Sequence, residues 1–466
     1  MPLSFHNSLR LCVSAAVFCA LSAAAEPVDW IWSARYVITM DARRRVIDDG
    51  AIAVRGERIV AVAPQAEIDR RYTAVQRLDR PDALIAPGLI NAHTHAPMSL
   101  LRGLADDVSL QDWLRKFIFP AEARNVTPDF VRWGTRLACL EMLLSGTTTF
   151  TDMYYFEDTV AEETRRAGLR GVLGETIIGF PAPDAKTPEK ALRFAERYVQ
   201  RFRNDPLILP AVAPHALYTN SEQTLKSSRA LADRYGVPLL IHVAETRHER
   251  DDAIAQWSKS PVQLLDSWGV LSGRTLAAHA VWIDDRDIAT LKARATGVAH
   301  CPSSNMMLAS GVAPVVKMLA AGLNVGLGTD GPAGSNNDLD LVQEIALAAK
   351  LQKVSTGDPR SLTAMQALGM ATMGGARALG LDKEIGSLEP GKRADAITMR
   401  LDVPNAVPIY DIVAQLVYAL KGADVRDAMV NGRLLLRDRR ALTLDQPAIL
   451  AKAAEYGAKV RASLAR

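Results

Sequence analysis

The 466-residue sequence predicts an α/β fold, a (β/α)8 TIM barrel with a small composite β-sandwich domain from both chain ends. Three observations support this prediction. Eight short apolar runs alternate with longer helical patterns in the middle of the chain. Polar residues, histidines above all, follow the ends of these runs. Strand-like patterns flank the barrel region on both sides.

The eight apolar runs are typical of strands that are each followed by a helix. They lie at residues 84–90, 147–150, 171–176, 207–213, 238–243, 275–279, 297–302 and 325–331. Helical patterns with charged residues on one face lie between them, at residues 128–144, 188–202, 221–235 and 284–295. Eight such units over roughly 300 residues indicate a barrel, which we place at residues 85–392.

The two flanks of the barrel predict a second domain. Residues 27–84 and 393–440 contain alternating, strand-like runs. Each flank alone is too small for a good β core. We therefore expect them to pair into one β-sandwich domain. Residues 441–466 follow it and contain a predicted C-terminal helix at 446–464.

Composition excludes several classes of protein. The hydrophobic fraction of 48% and the charged fraction of 23% exclude wholesale disorder. The net charge is +3, from 55 basic and 52 acidic residues, and no basic run stands out, so we expect no nucleic-acid partner. The four cysteines, at positions 12, 19, 139 and 301, exclude a disulfide framework and a zinc site built from cysteines.

The N-terminus has the pattern of a secretory signal peptide, which we place at residues 1–25. Arg10 supplies a positive charge, residues 11–25 are apolar and small, and the run ends in three alanines before Glu26. The run is too short to span a bilayer comfortably. We expect a periplasmic or secreted protein without a stable membrane anchor, or a cytoplasmic one if the signal is not functional.

Histidines are concentrated at the predicted strand ends. Six of the seven that follow the leader lie there: His93, His95, His215, His242, His279 and His300. A (β/α)8 barrel builds its active site at this face. A catalytic cluster is therefore a better interpretation than six separate core histidines. His248, among charged neighbours, is expected on a solvated helix.

Four of the polar residues form a candidate metal site. His93 and His95 can face one metal ion, because residues i and i+2 of a strand point the same way. His242 and Asp330, at the ends of the fifth and eighth strands, would complete a set of three histidines and one aspartate. Such nitrogen and oxygen ligands suit Zn²⁺, or Fe²⁺. The fourth strand lacks a lysine, which favours one metal ion over a lysine-bridged pair.

Two further residues suit proton transfer beside such a metal. Glu245 lies three residues beyond His242 and could take the proton of an activated water and pass it on. His279 could orient that water or polarise the electrophile. Both residues follow predicted strands and would share the same mouth of the barrel.

Several motifs carry a resemblance to a known family. Residues 87–95 read PGLINAHTH, and His242, His279 and Asp330 follow at the expected spacing. Further motifs are LRGLADD (101–107), PAE (120–122), APH (213–215), HCPSSN (300–305) and GTDG (328–331). Together they resemble the amidohydrolase superfamily, and within it the 5'-methylthioadenosine/S-adenosylhomocysteine deaminases. The resemblance covers residues 27–440, and guanine, cytosine and s-triazine hydrolases share many of these motifs.

The resemblance implies roles for individual residues. The implied metal ligands are His93, His95, His242 and Asp330. The implied catalytic residues are Glu245, which protonates N1 of the purine, and His279 and Asp330, which handle the water. The implied substrate contacts are Glu122, His215, Glu245 and Asp330. Glu122 would hold the ribose hydroxyls, since a carboxylate can accept from two adjacent hydroxyls. Arginines that contact substrate in some relatives have no clear counterpart between Glu175 and Asn204.

The implied reaction is hydrolytic deamination of an adenosine-type nucleoside. Water attacks C6 of the adenine ring, ammonia leaves, and an inosine-type product remains. Two alternatives stay open: the same site could act on guanine, cytosine, a pterin or an s-triazine, or the protein could be a non-catalytic exported nucleoside-binding protein. Glu122 favours a ribosyl substrate, and the intact set of polar residues favours catalysis. We expect a homo-oligomer, a dimer or a tetramer.

Overall fold

The structure is a computed structural model that describes residues 25–464. The predicted signal peptide lies outside the described residues except for its last position, and so do the cysteines at positions 12 and 19. None of the helices within residues 25–464 is both long and apolar enough to cross a membrane.

Strands form two separate sheets. In chain order they are β1 (Glu26–Ile38), β2 (Val46–Arg55), β3 (Arg58–Pro64), β4 (Tyr72–Pro87), β5 (Leu89–Thr94), β6 (Thr147–Tyr154), β7 (Arg170–Ile177), β8 (Ile208–Pro214), β9 (Leu239–Val243), β10 (Thr275–His279), β11 (Gly297–His300), β12 (Val325–Leu327), β13 (Ala396–Arg400), β14 (Val425–Val430), β15 (Arg433–Arg437) and β16 (Arg440–Ala441).

Helices cover the barrel and the chain ends. The α-helices are α1 (Gln65–Arg71), α2 (Leu110–Asp112), α3 (Phe119–Asn125), α4 (Pro128–Leu144), α5 (Glu157–Ala167), α6 (Pro188–Phe202), α7 (Glu222–Tyr235), α8 (Arg247–Trp257), α9 (Pro261–Ser267), α10 (Asp285–Ala293), α11 (Pro302–Met307), α12 (Val315–Ala320), α13 (Leu341–Thr356), α14 (Ala364–Gly369), α15 (Gly375–Ala378), α16 (Ile412–Tyr418) and α17 (Gln446–Leu464). A π-helical segment, Trp113–Ile118, joins α2 to α3.

The strands β5 to β12 close into a barrel in which all neighbours are parallel. Their side chains are buried almost throughout, which explains why they read as apolar runs rather than as alternating ones. Helices follow the strands and pack their apolar faces on the barrel. The (β/α)8 barrel predicted from the sequence is therefore confirmed.

Local sequence signals fix where the outer helices begin. Thr127 and Thr187 cap α4 and α6 by accepting a hydrogen bond from a backbone N–H three residues on, and a proline follows each of them. Both helices have the bounds that the sequence predicts. Ser221 and Asp284 are the capping residues of α7 and α10, so these two helices begin one residue later than predicted.

The first barrel strand differs from its prediction. The apolar run 84–90 is shared between two sheets: residues up to Pro87 belong to β4, and the barrel strand begins at Leu89. Gly88 lies between them, where a Cβ would overlap the side chain of Thr148. The chain can thus change sheets within one residue. His93 consequently lies inside β5, whereas His95 lies just beyond its end.

The second sheet joins both ends of the chain, as predicted. Its eight strands have the order β16-β15-β14-β13-β4-β1-β2-β3, and the antiparallel pair β13–β4 joins the two halves. Apolar side chains cover both faces: Trp32 and Met429 belong to one buried cluster, Ile31 and Ile68 to another. The helix α17 packs on α4, where the Tyr456 hydroxyl donates to Asp129 Oδ2 at 2.6 Å.

Three carboxyl groups are buried near the carboxyl ends of β6 and β7, those of Asp152, Glu157 and Glu175. The half-buried Asp184 lies beside them. Neither carboxyl oxygen of Glu157 has a hydrogen-bond partner within residues 25–464. Burial, reinforced by the neighbouring carboxyls, raises the pKa of Glu157 and of Glu175 well above the usual 4.5. Both groups are therefore neutral in the folded protein at moderate pH.

Glu157→Gln is expected to raise the free energy of unfolding at pH 8 by at least about 1 kcal/mol. The folded-state pKa of Glu157 lies above 4.5, so the native state holds a proton that the unfolded chain releases. The free energy of unfolding of the wild type therefore falls as the pH rises above 4.5. Glu157→Gln lacks this pH-dependent decrease, because its side chain does not titrate. Urea unfolding at pH 5 and pH 8 measures the effect, with the exposed Asp49→Asn as control. Equal pH dependence in Glu157→Gln and the wild type would contradict a neutral Glu157.

Candidate metal centre and active site

The eight site residues of the sequence analysis lie at the carboxyl-terminal face of the barrel. Seven of them line one pocket of about 550 Å³: His95, Glu122, His215, His242, Glu245, His279 and Asp330. The eighth, His93, is buried and contacts Asp330. His300 is buried outside the pocket lining, and His248 is exposed on α8, where it pairs with Asp252 at 3.2 Å.

Backbone contacts between neighbouring strands hold the site together. The amide of Asp330 donates to the carbonyl of His93 at 3.0 Å, and the amide of His242 donates to the carbonyl of His215 at 3.0 Å. His279 and Asp330 both have left-handed backbone conformations, with φ of 71° and 65°. Such a conformation costs a non-glycine residue on the order of 1–3 kcal/mol, and it is typical of functional sites.

Five candidate ligands converge on one point. One ligand atom each of His93, His242, His279 and Asp330 lie within 4.8 Å of one another. His95 joins them, since its Nε2 lies 3.3 Å from Asp330 Oδ1 and 3.3 Å from His242 Nε2. The Nε2 of His93 is also 3.3 Å from Asp330 Oδ1. The described residues thus form a site with histidine and aspartate ligands that could hold a metal ion.

The hydrogen bonds of the imidazoles show that this group fits a metal. The Nδ1 atoms of His95 and His242 each lie 2.7 Å from a backbone carbonyl oxygen. A carbonyl only accepts, so both Nδ1 atoms carry a proton, and each Nε2 atom presents a lone pair when its imidazole is neutral. Two such lone pairs at 3.3 Å repel each other unless a cation, either a proton or a metal ion, lies between them. The buried Nε2 of His93 also has no hydrogen-bond partner in residues 25–464.

The electrostatics of the cluster favour a neutral imidazole at His93 and His242 and a protonated one at His95. Burial lowers the pKa of His93 to about 4 and that of His242 well below its usual value. Burial acts on His95 in the same direction, but the carboxylate of Asp330 outweighs it and raises the pKa of His95 to about 9. Burial would raise the pKa of Asp330, yet its contacts with His93 and His95 hold it well below the usual range. Without a metal ion, Asp330 is therefore ionised beside a protonated His95, while His93 and His242 are neutral, and a metal ion on Nε2 of His95 would replace that proton.

His279 and Glu245 face each other across the same pocket. The Nε2 of His279 lies 3.8 Å from Glu245 Oε2, and its Nδ1 lies 3.2 Å from Asn305 Oδ1. Burial raises the pKa of Glu245, partly opposed by His279. A carboxyl group whose pKa is raised can hold a proton at neutral pH and deliver it to a substrate. The geometry therefore suits an acid and an imidazole beside the candidate metal site.

Several positioning residues were not singled out from the sequence. The Ser304 hydroxyl donates to Asp330 Oδ2 at 2.6 Å, and Asn305, its neighbour on α11, fixes His279. Both belong to the HCPSSN motif that carries the family resemblance, so the sequence could have indicated their importance. Glu249 accepts from the amides of Ala244 and Glu245, at 3.0 and 2.9 Å, and so fixes the segment that carries Glu245. The sequence did not indicate this role for Glu249, because it lies in a helix with many charged residues.

Glu122 occupies a buried position on α3. The hydroxyl of Tyr154 donates to Glu122 Oε1 at 2.7 Å. Burial raises the pKa of Glu122 to about 7, although the Tyr154 hydrogen bond opposes the shift. His215 lies beside His242 with its Nδ1 3.0 Å from Thr219 Oγ1, and burial lowers its pKa to about 3. The pocket therefore offers a carboxyl group and a neutral imidazole to a substrate.

Metal content of purified variants tests the ligand set. We expect one divalent ion per chain in the wild type and at least about 100-fold weaker binding in His93→Asn and His242→Asn, because each loses a ligand. His95→Asn is expected to lose metal similarly, whereas His279→Asn retains it. His248→Asn, on the exposed face of α8, is the matched control. Metal loss in His279→Asn with retention in His95→Asn would reverse the assignment of these two residues.

Comparisons with known proteins agree with this geometry. The Amidohydrolase family matches residues 84–435. A protein from Thermodesulfovibrio yellowstonii named 5-methylthioadenosine/S-adenosylhomocysteine deaminase is 43% identical over 93% of this chain and 99% of its own length. A protein of the same name from Syntrophobacter fumaroxidans is 48% identical over 88% of this chain and 93% of its own.

Solved structures give the same result. The crystal structure of an adenosine deaminase from Xanthomonas campestris with bound zinc has a TM-score of 0.92 and 39% identity, and the match covers 94% of this chain and all of that one. An atrazine chlorohydrolase from Arthrobacter aurescens, complexed with zinc, has a TM-score of 0.84 and 25% identity, over 92% of this chain and all of that one. The shared barrel, the convergent histidines and the extent of these matches place the chain in the amidohydrolase family.

Proposed function

We propose that the protein is a metal-dependent hydrolytic deaminase of 5'-methylthioadenosine, S-adenosylhomocysteine, or both. The products are the inosine analogue and ammonia. The observation that carries the proposal is the buried Glu122 in the same pocket as the candidate metal ligands. A carboxylate there can accept from both ribose hydroxyls, which a free base lacks. The names of the relatives from Thermodesulfovibrio and Syntrophobacter support it.

We assign Zn²⁺ to the metal site, with His93, His95, His242 and Asp330 as ligands. Three imidazoles and one carboxylate suit this ion, and Fe²⁺ is the alternative. The zinc in the adenosine deaminase and the atrazine chlorohydrolase supports the choice. When bound, the ion makes water nucleophilic at neutral pH by lowering its pKa.

The protein side chains supply the proton steps. Glu245, whose pKa is raised by burial, donates a proton to N1 of the purine and so makes C6 electrophilic. Asp330 is ionised and accepts a proton from the water that attacks C6, while His279 orients that water. The water oxygen bonds to C6, Asp330 passes its proton to the exocyclic nitrogen, the bond from C6 to that nitrogen breaks, and ammonia leaves. The C6 hydroxyl then returns a proton to Glu245, which restores the acid and leaves the carbonyl of the inosine analogue. His215 contacts the bound nucleoside from the wall beside His242.

We also propose that the chain is exported, with its signal at residues 1–25, and that it acts as a homo-oligomer. The leader pattern supports export. N-terminal sequencing of protein recovered from the periplasm or medium of an expressing cell tests it. A start at Glu26 is expected, and an intact Met1 in the cytoplasm would contradict export.

Ammonia release by the zinc-loaded protein tests the substrate class. The compounds to compare are 5'-methylthioadenosine, S-adenosylhomocysteine, adenosine, guanine, cytosine and melamine. We expect preference for the two thionucleosides and loss of activity on chelation. Activity only on a free base or a triazine would keep the fold and the metal site but refute the nucleoside proposal. Binding of nucleosides without ammonia release would indicate a non-catalytic protein.

Glu122→Gln is expected to lower kcat/KM for the thionucleosides about 100-fold, because an amide oxygen accepts from the diol less strongly than a carboxylate. Since the pKa of Glu122 is about 7, the wild-type kcat/KM should fall as the pH drops below 7, where the carboxyl group becomes protonated. This limb should be absent in Glu122→Gln. Tyr154→Phe removes only the hydrogen bond to Glu122 and should have a smaller effect. An unchanged kcat/KM in Glu122→Gln would favour a substrate without ribose.

A further inference from the structure

A groove lies beside the active-site pocket. We call it the outer groove, and its volume is about 960 Å³. Its lining consists of Gln111, Leu114, Arg115, Phe119, Gly179, Phe180, Tyr218 and Thr219. Leu114, Phe119 and Tyr218 also line the active-site pocket. The two spaces are therefore adjacent and meet at these three residues.

The position of the outer groove relates it to one part of the nucleoside. Phe119 and Glu122 lie three residues apart on α3, so their side chains are on the same face of the helix. If Glu122 holds the ribose diol, as in the proposed function, the ribose lies next to Phe119. The base is directed to the metal ligands, and only the 5' substituent extends beyond the ribose. The outer groove is thus the space available to that substituent.

The walls of the outer groove are aromatic and fixed. Phe119 and Phe180 pack edge to face with ring centroids 5.0 Å apart. Phe180 and Tyr218 remain 36% and 39% exposed, although both are large apolar side chains. The amide of Gly179 donates to the carbonyl of Thr219 at 2.8 Å, which ties the two walls together. Such walls suit the thioether and methylene carbons of a 5' tail.

Among the described residues, the lining of the outer groove has one cation and no acid. Arg115 is the only charged side chain that residues 25–464 contribute to it. Within residues 25–464 Arg115 makes no ion pair, whereas its neighbour Lys116 pairs with Asp112 at 2.9 Å. None of the arginines between Glu175 and Asn204 lines the pocket or the groove. An unpaired guanidinium in the lining of an otherwise uncharged groove matches a carboxylate at the end of a thioether chain.

We propose that Arg115 binds the carboxylate of a 5' amino-acid tail, so that the outer groove selects S-adenosylhomocysteine over 5'-methylthioadenosine. The inference rests on the proposed function, and it assigns to this chain a specificity residue on the π-helical segment Trp113–Ile118. The same aromatic walls contact the sulfur and methylene groups of both nucleosides. Arg115 contacts only the nucleoside that carries the carboxylate.

The ratio of kcat/KM for S-adenosylhomocysteine to that for 5'-methylthioadenosine tests the proposal. In Arg115→Met this ratio should fall about tenfold, because an arginine–carboxylate pair is lost. Lys116→Met is the matched control, since it removes an adjacent cation that does not line the groove, and its ratio should equal that of the wild type. An unchanged ratio in Arg115→Met, or an equal fall in Lys116→Met, would overturn the proposal.

A substrate that lacks the carboxylate shows whether Arg115 acts by binding that group or affects activity in another way. In 5'-(3-aminopropylthio)-5'-deoxyadenosine the tail keeps its ammonium group and its thioether. The wild type should use it about tenfold less efficiently than S-adenosylhomocysteine, and Arg115→Met should use the two about equally. The wild-type KM for S-adenosylhomocysteine should also rise with salt more steeply than that for 5'-methylthioadenosine.

The outcomes distinguish this inference from the proposed function. A wild-type protein that deaminates 5'-methylthioadenosine but not S-adenosylhomocysteine overturns the role of Arg115 and leaves the deaminase proposal in place. A wild-type protein that deaminates neither refutes the proposed function. Equal losses on both nucleosides in Arg115→Met would mean that Arg115 supports the π-helical segment and does not read the tail.

Discussion

The interaction on which the site depends is the contact of one ionised carboxylate with several buried imidazole nitrogens. Asp330 Oδ1 lies 3.3 Å from the Nε2 atoms of both His93 and His95. The nitrogen lone pairs of His95 and His242 face each other at 3.3 Å. Without a cation, either a proton on His95 or a metal ion, this arrangement would be repulsive. The surrounding structure holds these groups in place against that repulsion.

Three layers of structure supply this restraint. The parallel barrel brings the strand ends together and fixes the Nδ1 protons of His95 and His242 on backbone carbonyls. The helix α11 holds Asp330 through Ser304 and His279 through Asn305. The strained backbones of His279 and Asp330 are maintained by these bonds. Within residues 25–464 the composite sheet, which joins the chain ends through β4 and β13, contributes no residue to the lining of this pocket.

The barrel and the position of the site residues at one of its faces could both be predicted from the sequence, because two physical signals were strong. Buried parallel strands read as apolar runs, and the polar residues after them meet at one end of the barrel. The exchange of sheets at Gly88 could not be predicted, since a continuous apolar run does not show where one sheet ends. Glu157 was missed because an acidic residue in the first turn of a helix usually faces solvent. No pattern in the sequence indicated a role for Arg115, because its role depends on the outer groove, which only the structure shows.

Titration of the chelated protein with Zn²⁺ tests whether the convergent histidines and Asp330 act through one metal ion, with ammonia release from 5'-methylthioadenosine as the readout. We predict no activity without metal, a linear rise, and saturation at one equivalent of zinc per chain. Activity that survives complete chelation would contradict the claim that the convergent histidines and Asp330 act through a metal. Saturation at two equivalents would contradict a single-metal site.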